Sequence, residues 1–283
     1  MLGPKGQKSS AWLRQTGQPA WVMGVLNCTP DSFSDGGEFV DVDVAVQHGL
    51  DMWLAGASII DVGGESTRPG AKAVEEDEEL RRILPVVEAL VAQGCKVSID
   101  TRHAKVMQRA VQAGACMIND VSALLFDDKS LDVAVQTNVD VCLMHMQGTP
   151  ENMQISPAYG DVLSEVKSFF TGCLERCLRA GMSESALLLD PGIGFGKSVE
   201  DNLVLIANID VLKEYFGLPI LLGVSRKSFI GSLTGALVDG RELGTSAAGS
   251  IGVFQGADGV RVHDVATQYQ ACQMASALFD AKR

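Results

Sequence analysis

Eight short apolar runs recur along the chain, and each closes on a polar residue. They are VMGVLN at Asn27, SIID at Asp61, KVSID at Asp100, CMIND at Asn119 and Asp120, VCLMH at His145, LLLD at Asp190, ILLGVSRK at Lys227 and GVRVH at His263. An apolar strand with a polar C-terminal end, repeated eight times between helices, is how a (β/α)8 barrel gathers an active site on one face. Helical periodicity fills the intervals, clearest at Leu80, Ile83, Leu84, Val87, Leu90 and Val91 and at Val162, Val166, Phe169, Phe170, Cys173 and Cys177. Glycine then closes the helix and a strand follows, at Gly56, Gly94, Gly114, Gly181, Gly217 and Gly256. A doubly wound open sheet alternates in the same way. Eight strands without a dinucleotide fingerprint favour the closed form, so the expected fold is α/β, a single-domain TIM barrel over residues 21–283 behind an N-terminal cap or tail over residues 1–20.

Composition narrows the function. A chain of 283 residues that is 46% hydrophobic matches one barrel of about 250 residues. No apolar run approaches the roughly 20 residues that span a bilayer, and the first twenty positions lack a signal-peptide core. A cytoplasmic protein without membrane contact is expected. The seven cysteines are odd in number and scattered through apolar runs, which argues for reduced core thiols. A formal charge of −12 argues against nucleic acid, whose phosphates need a basic surface. Yet Arg68, Lys197, Arg226, Lys227, Arg261 and His263 fall at or beyond strand ends, where a pocket concentrates them for an anion.

The strand ends carry distinct chemistry. Asn27 offers an amide oxygen of the kind a hard cation such as Mg2+ prefers. It opens a polar loop, NCTPDSFSDGG, whose one large apolar residue is Phe33. In DVGGESTRPG, Thr67 and Arg68 supply a hydroxyl and a guanidinium suited to an anion. Asp100, Asn119 and Asp190 should point into the barrel mouth, and three such groups suit a ligand rich in N–H donors, such as a fused aminopyrimidinone. Capping of the following helices is the competing account for Asp100 and Asp190. DPGIGFGKS satisfies neither the Walker nor the dinucleotide spacing. It reads as a glycine-rich barrel loop with Phe195 as an aromatic wall and Lys197 as an exposed lysine. Lys227, Arg261 and His263 end the seventh and eighth strands, where this fold places phosphate, and alternation puts Arg261 and His263 on one face. Cys173 and Cys177 read as core, Cys28 as a packed thiol, and His48 and His103 as partnerless helix residues.

Taken together, LNCTPDSFSDGG, IIDVGGESTRPGA, SIDT, IND, LMHMQG, LLLDPGIGFGK, GVSRKSFIG and RVHDV resemble the dihydropteroate synthase family, in order from about residue 21 to 266. The resemblance implies a TIM barrel that joins 4-aminobenzoate to 6-hydroxymethyl-7,8-dihydropterin diphosphate with Mg2+, releases pyrophosphate, binds sulfonamide inhibitors and forms a homodimer through helices near the C-terminus. It implies that Asn27 ligates the metal and, with Thr67, Arg68, Arg261 and His263, holds the diphosphate. Asp100, Asn119, Met144, Asp190, Gly223 and Lys227 would hold the pterin. Phe33, Thr67, Arg68, Pro69, Phe195, Lys227 and Ser228 would surround the aminobenzoate. Asp35, or less favourably Asp31, would stabilise the methylene cation left when diphosphate departs, and the catalytic set becomes Asn27, Asp35, Arg68, Lys227, Arg261 and His263. A corrinoid-linked methyltransferase barrel and a non-catalytic paralogue are the alternatives. Cys28 and Ile193 depart from the family's usual valine and aromatic residue, and the stretch near Phe126 is unusual.

Overall fold

The computed structural model describes residues 10–29, 41–66, 74–149, 152–155 and 157–282. Its parallel strands are β1 (Trp21–Asn27), β2 (Ile59–Gly63), β3 (Val97–Asp100), β4 (Met117–Asp120), β5 (Asp140–Met144), β6 (Leu187–Asp190), β7 (Leu221–Leu222) and β8 (Gly259–Val262). They pair in the order β6-β5-β4-β3-β2-β1-β8-β7. The two ends of that ladder meet through a bridge between Leu189 and Ile220 and a 3.0 Å bond from Leu189 N–H to the Pro219 carbonyl. The sheet closes on itself, which settles the choice between barrel and open sheet.

Around the barrel run α1 (Val42–Leu54), α2 (Glu76–Ala92), α3 (Ala104–Gln112), α4 (Ser130–Thr137), α5 (Val162–Arg179), α6 (Val199–Ala207), α7 (Ile209–Phe216), α8 (Ser228–Thr234), α9 (Glu242–Phe254) and α10 (Val265–Ala281). Local chemistry sets their ends. Asp41, Asp161 and Asp264 accept backbone N–H bonds at the starts of α1, α5 and α10, and Ser198 with Asp201 forms a capping box on α6. All six glycines expected to close helices hold positive φ, from 67° at Gly217 to 111° at Gly256. After α4 the same job falls to Asn138, at φ 52°, because asparagine tolerates the left-handed region better than other side chains.

Strand alternation then divides the apolar residues between two cores. Val22, Leu26, Ile60, Val62, Ile99, Ile118, Leu143, Leu189 and Val262 face outward and pack against the helices. Met23, Ile59, Met117, Cys142, Leu188 and Leu221 face inward and form a separate apolar plug. Trp12 joins the plug from the N-terminal segment and seals the lower end of the barrel. Its indole N–H donates to Asp140 Oδ2 at 2.7 Å, its carbonyl accepts from the Trp21 indole at 2.9 Å, and the two rings meet edge-on at 4.9 Å. Gly259 makes room for Trp21, since a Cβ there would stand 2.3 Å from the indole. Residues 10–20 are thus an integral floor, with Ser10 and Trp12 buried.

Four strand boundaries differ from the sequence reading, β8 by one residue, since it stops at Val262 just before His263. β2 continues two residues past Asp61, which lies inside the barrel and not at its rim. β5 stops at Met144, so His145 takes the opposite face, its ring 4.8 Å from Phe169 on α5. β7 spans two residues, and Lys227 stands at the N-cap position of α8 beyond a turn in which Arg226 adopts φ 57°.

Trp12→Ala should cost about 3–5 kcal/mol of unfolding free energy, because it removes a buried indole and leaves a cavity under the plug. Urea denaturation measures this, and a loss below about 1 kcal/mol would mean that the segment merely covers the barrel.

Candidate active site

Above the apolar plug, the inward positions turn polar. Asp61, Asp100, Asn119 and Asp190 are all at most 6% exposed, and Arg261 lies among them. Arg261 bridges two carboxylates: Nε donates to Asp61 Oδ2 at 2.6 Å and Nη2 to Asp100 Oδ2 at 2.7 Å. Asn119 Nδ2 adds a bond to the same Asp61 oxygen at 2.8 Å. Burial works against the guanidinium's charge, yet Asp61 and Asp100 outweigh it and raise its pKa. Burial pushes the Asp100 carboxyl upward, with Arg261 opposing and Asp61 reinforcing the shift. Asp61 Oδ1 and Asp100 Oδ1 are buried without a hydrogen-bond partner among the described residues. Native interiors rarely leave such oxygens unpaired, so this floor is built to accept donors from something else.

The remaining polar groups sit around that floor. Asp190 Oδ1 accepts from the Gly192 N–H at 2.7 Å, and Oδ2 lies 3.4 Å from where a Cβ on Gly223 would stand. Neither Asp100 nor Asp190 caps a helix: α3 begins at His103 without a side-chain cap, and α6 is capped by Ser198. Lys227 is half-buried, its ammonium 3.9 Å from the centre of the Phe195 ring. Burial draws that lysine down to about 8, with Arg261 adding repulsion and Asp190 and Asp100 opposing. Met144 is 3% exposed at the end of β5, Asn27 is half-buried at the end of β1 beside Gly63, and His263 follows β8. Ser228 opens α8 and is exposed. Phe33, Asp35, its alternative Asp31, Thr67, Arg68 and Pro69 lie outside the described residues.

Two basic residues expected near the anion do other work. Arg226 turns away to pair with Glu242. Lys197 is 3% exposed, not a surface lysine. Its ammonium lies 2.9 Å from His145 Nδ1 and donates to the carbonyls of Gly192 at 2.9 Å, Phe195 at 3.0 Å and His145 at 3.3 Å. It thereby clasps the β6 loop to the chain after β5. Burial, then the nearby Lys197 charge, drives the His145 ring down to about 3, so it is neutral and able to accept. Glycine is obligatory along the seam, since a Cβ at Gly192 would stand 1.8 Å from the His145 carbonyl oxygen and one at Gly196 2.4 Å from that of Gln147. His103 is not partnerless either: Nδ1 is 2.7 Å from buried Glu79, a bond that raises its pKa. His48 also has an interaction partner.

Sequence reasoning missed the supporting ion pairs. Glu65 takes both arms of the Arg102 fork at 3.0 Å and also accepts the Val74 N–H at 3.1 Å, joining the two ends of the second loop. The signal was a glutamate beside the GG pair, which nothing in spacing connects to Arg102. Asp61 was visible but ranked low, because its pairing with Arg261 depends on strands 200 positions apart. The cysteines match expectation: all seven are free, Cys173 and Cys177 pack in the core, and burial pushes Cys28 up to about 12.

Comparison with known proteins agrees with this architecture. The model of a family described as pterin binding enzymes matches residues 23–263. This chain belongs to the pterin-binding enzymes. Among relatives of the pterin-binding enzyme, the dihydropteroate synthase of Escherichia coli is 47% identical over 263 residues, 92% of each chain. The Yersinia pestis dihydropteroate synthase, solved in a sulfonamide drug complex, superposes with a TM-score of 0.87 at 46% identity, covering 93% of this chain and 95% of that one. The Xanthomonas albilineans dihydropteroate synthase, solved with 4-aminobenzoic acid, gives 0.86 at 47% identity and 93% coverage of both chains.

The His145 environment of this pterin-binding enzyme makes stability depend on pH with a definite sign. The unfolded ring binds a proton near pH 6.5, whereas the folded ring resists until about 3. Between these values the unfolded chain holds more protons, so stability falls as pH drops through that window. From pH 7 to 5 this costs about 2 kcal/mol. His145→Gln keeps an acceptor for Lys197 and removes the titration, so urea melts at the two pH values should show a correspondingly smaller loss; an equal loss in both proteins would contradict the buried neutral ring.

Proposed function

We propose that this enzyme is a dihydropteroate synthase, a transferase that joins 6-hydroxymethyl-7,8-dihydropterin diphosphate to 4-aminobenzoate in folate biosynthesis. The observation that carries the reading is a floor of buried carboxylates with unpaired oxygens, crossed by Arg261 and followed along the chain by Lys227 beyond β7 and His263 beyond β8. Carboxylates accept the ring N–H and amino groups of a pterin, while the cations of Lys227 and Arg261 and a ring N–H of His263 meet its diphosphate. A methyl-transferring barrel has no use for that anion site. Two relatives, one solved with 4-aminobenzoic acid and one with a sulfonamide, point to the same substrates and inhibitors.

In this reading Asp100, Asn119 and Asp190 hold the pterin, with Met144 and Gly223 against its face and Lys227 beside Asp190. Arg261 uses Nε and Nη2 on the floor carboxylates, which aims the rest of its fork towards the anion. Arg261, His263 and Asn27 draw negative charge onto the departing diphosphate; its C–O bond breaks with both electrons on oxygen, and the pterin nitrogens delocalise the methylene cation left behind. The aminobenzoate nitrogen then forms the new C–N bond and sheds a proton. Phe195, whose ring lies against Lys227, and Ser228 form the aminobenzoate side, together with Phe33, Thr67, Arg68 and Pro69; Asp35 stabilises the cation. The donor chemistry fits Mg2+ through Asn27, whose amide oxygen at the end of β1 is the hard ligand that ion prefers. Asn27 would hold the ion against the diphosphate, and when bound it neutralises leaving-group charge.

A homodimer is the assembly the surface favours. Leu203, Leu233 and Ile251 are 41%, 56% and 54% exposed around one apolar groove of about 400 Å3 between α6, α8 and α9, with Leu243 84% exposed beside it. The described residues contain no helix long and apolar enough to cross a membrane.

Pyrophosphate release that requires the pterin diphosphate, 4-aminobenzoate and Mg2+ together is the expected activity; release with either organic substrate alone would contradict it. Asp190→Asn keeps the acceptor for Gly192 but loses the charge, and should weaken pterin binding by about 30-fold or more, as measured by calorimetry. Ile251→Arg should convert the dimer to monomer in analytical ultracentrifugation, and an unchanged sedimentation coefficient would remove α9 from the interface.

A further inference from the structure

The turn after β7 places one hydroxyl where it controls His263. Ser225 Oγ accepts the His263 backbone N–H at 3.2 Å and lies 2.9 Å from His263 Nδ1. Ser225 is 7% exposed, and among the described residues no other acceptor bonds its hydroxyl. A buried hydroxyl that fails to donate loses a hydrogen bond it would make in water. Its one proton therefore belongs on the line to Nδ1, which must then be the bare acceptor nitrogen. The ring proton is left on Nε2, the edge away from Ser225.

The turn that sets this up is held from outside. Arg226 is a non-glycine residue in left-handed backbone, φ 57°, a conformation that persists only where its surroundings enforce it. Thr245, 1% exposed on α9, accepts the Arg226 N–H at 3.0 Å, Arg241 donates to the Arg226 carbonyl at 3.0 Å, and Glu242 takes the side chain. Three residues at the start of α9 thus fix the backbone that carries Ser225 under the imidazole.

We infer that Ser225 is a positioning residue that selects the Nε2–H tautomer of His263, so that a neutral ring presents an N–H donor to the diphosphate. The inference rests on the anion role proposed for His263. A proton on Nδ1 would instead leave the buried serine hydroxyl without an acceptor.

The test is nitrogen-15 NMR of the four histidines in the substrate-free enzyme at pH 7.5, with His263 assigned by its loss in His263→Gln. The expected spectrum is an Nε2–H imidazole. Ser225→Ala should give mixed tautomers, while Ser225→Thr restores the native pattern. In kinetics, Ser225→Ala should lower kcat/KM for the pterin diphosphate about 5-fold, as befits one hydrogen bond, with KM for aminobenzoate within about 2-fold of the native value. An Nδ1–H ring or an imidazolium in the native spectrum would overturn the inference. An Nε2–H spectrum with unaltered kcat/KM in Ser225→Ala would instead sink the anion role of His263, and the positioning function with it. The spectrum needs no substrate, so the two failures are distinguishable.

Discussion

One guanidinium organises the interior of this barrel. Arg261 enters from β8 and reaches across to β2 and β3, where it joins Asp61 and Asp100. Without that cation, two carboxylates of 0% and 6% exposure would face each other in a low-dielectric space, and each unpaired buried charge costs several kcal/mol. The pairing is deliberately incomplete, since each carboxylate keeps one oxygen unpaired. A floor that were fully satisfied would hold itself together and bind nothing. This one is stable enough to exist and still electrostatically open to a donor-rich ring.

The loops above depend on a buried lysine, whose pKa burial draws down to about 7. Lys197 replaces water for three backbone carbonyls and one ring nitrogen, and so fixes the β6 loop against the chain after β5. Phe195 rides on that loop and meets Lys227 across it. The ring that would flank the aminobenzoate and the ammonium beside Asp190 are consequently referenced to one frame. Glycine at 192 and 196 lets the two segments approach to distances that no side chain allows. Burial of the amine here serves geometry, whereas the pairs around Arg261 leave two carboxylate oxygens open.

The fold was legible because its signals are local. Apolar runs, helix stripes and terminal glycines each act within a few residues, and all of them agreed on a closed barrel. Site residues on clean alternation were equally legible: Asp100, Asn119, Asp190 and Arg261 face the mouth because parity is conserved along a strand. Errors appeared where a run extended past its ladder. His145 and Lys227 looked like strand ends, yet β5 and β7 stop earlier, so one turns outward and the other begins a helix. Lys197 and Glu65 were illegible for a different reason. A buried ion pair is defined by its partner, and partners such as Arg102 or the carbonyl of Gly192 come together only through the tertiary fold. Asn138 shows the same limit in miniature, since asparagine signals a left-handed cap less distinctly than glycine does.

If the floor holds the pterin and the rim holds the anion, the two contributions should separate by their response to salt. The direct measurement is calorimetric titration of 6-hydroxymethyl pterin and of its diphosphate, each at low and high ionic strength. The diphosphate should bind at least about 100-fold more tightly at low salt, and this advantage should shrink as salt rises, while the affinity of the unphosphorylated ring hardly moves. Equal affinities for the two ligands, or a salt response shared by both, would contradict the division of the site.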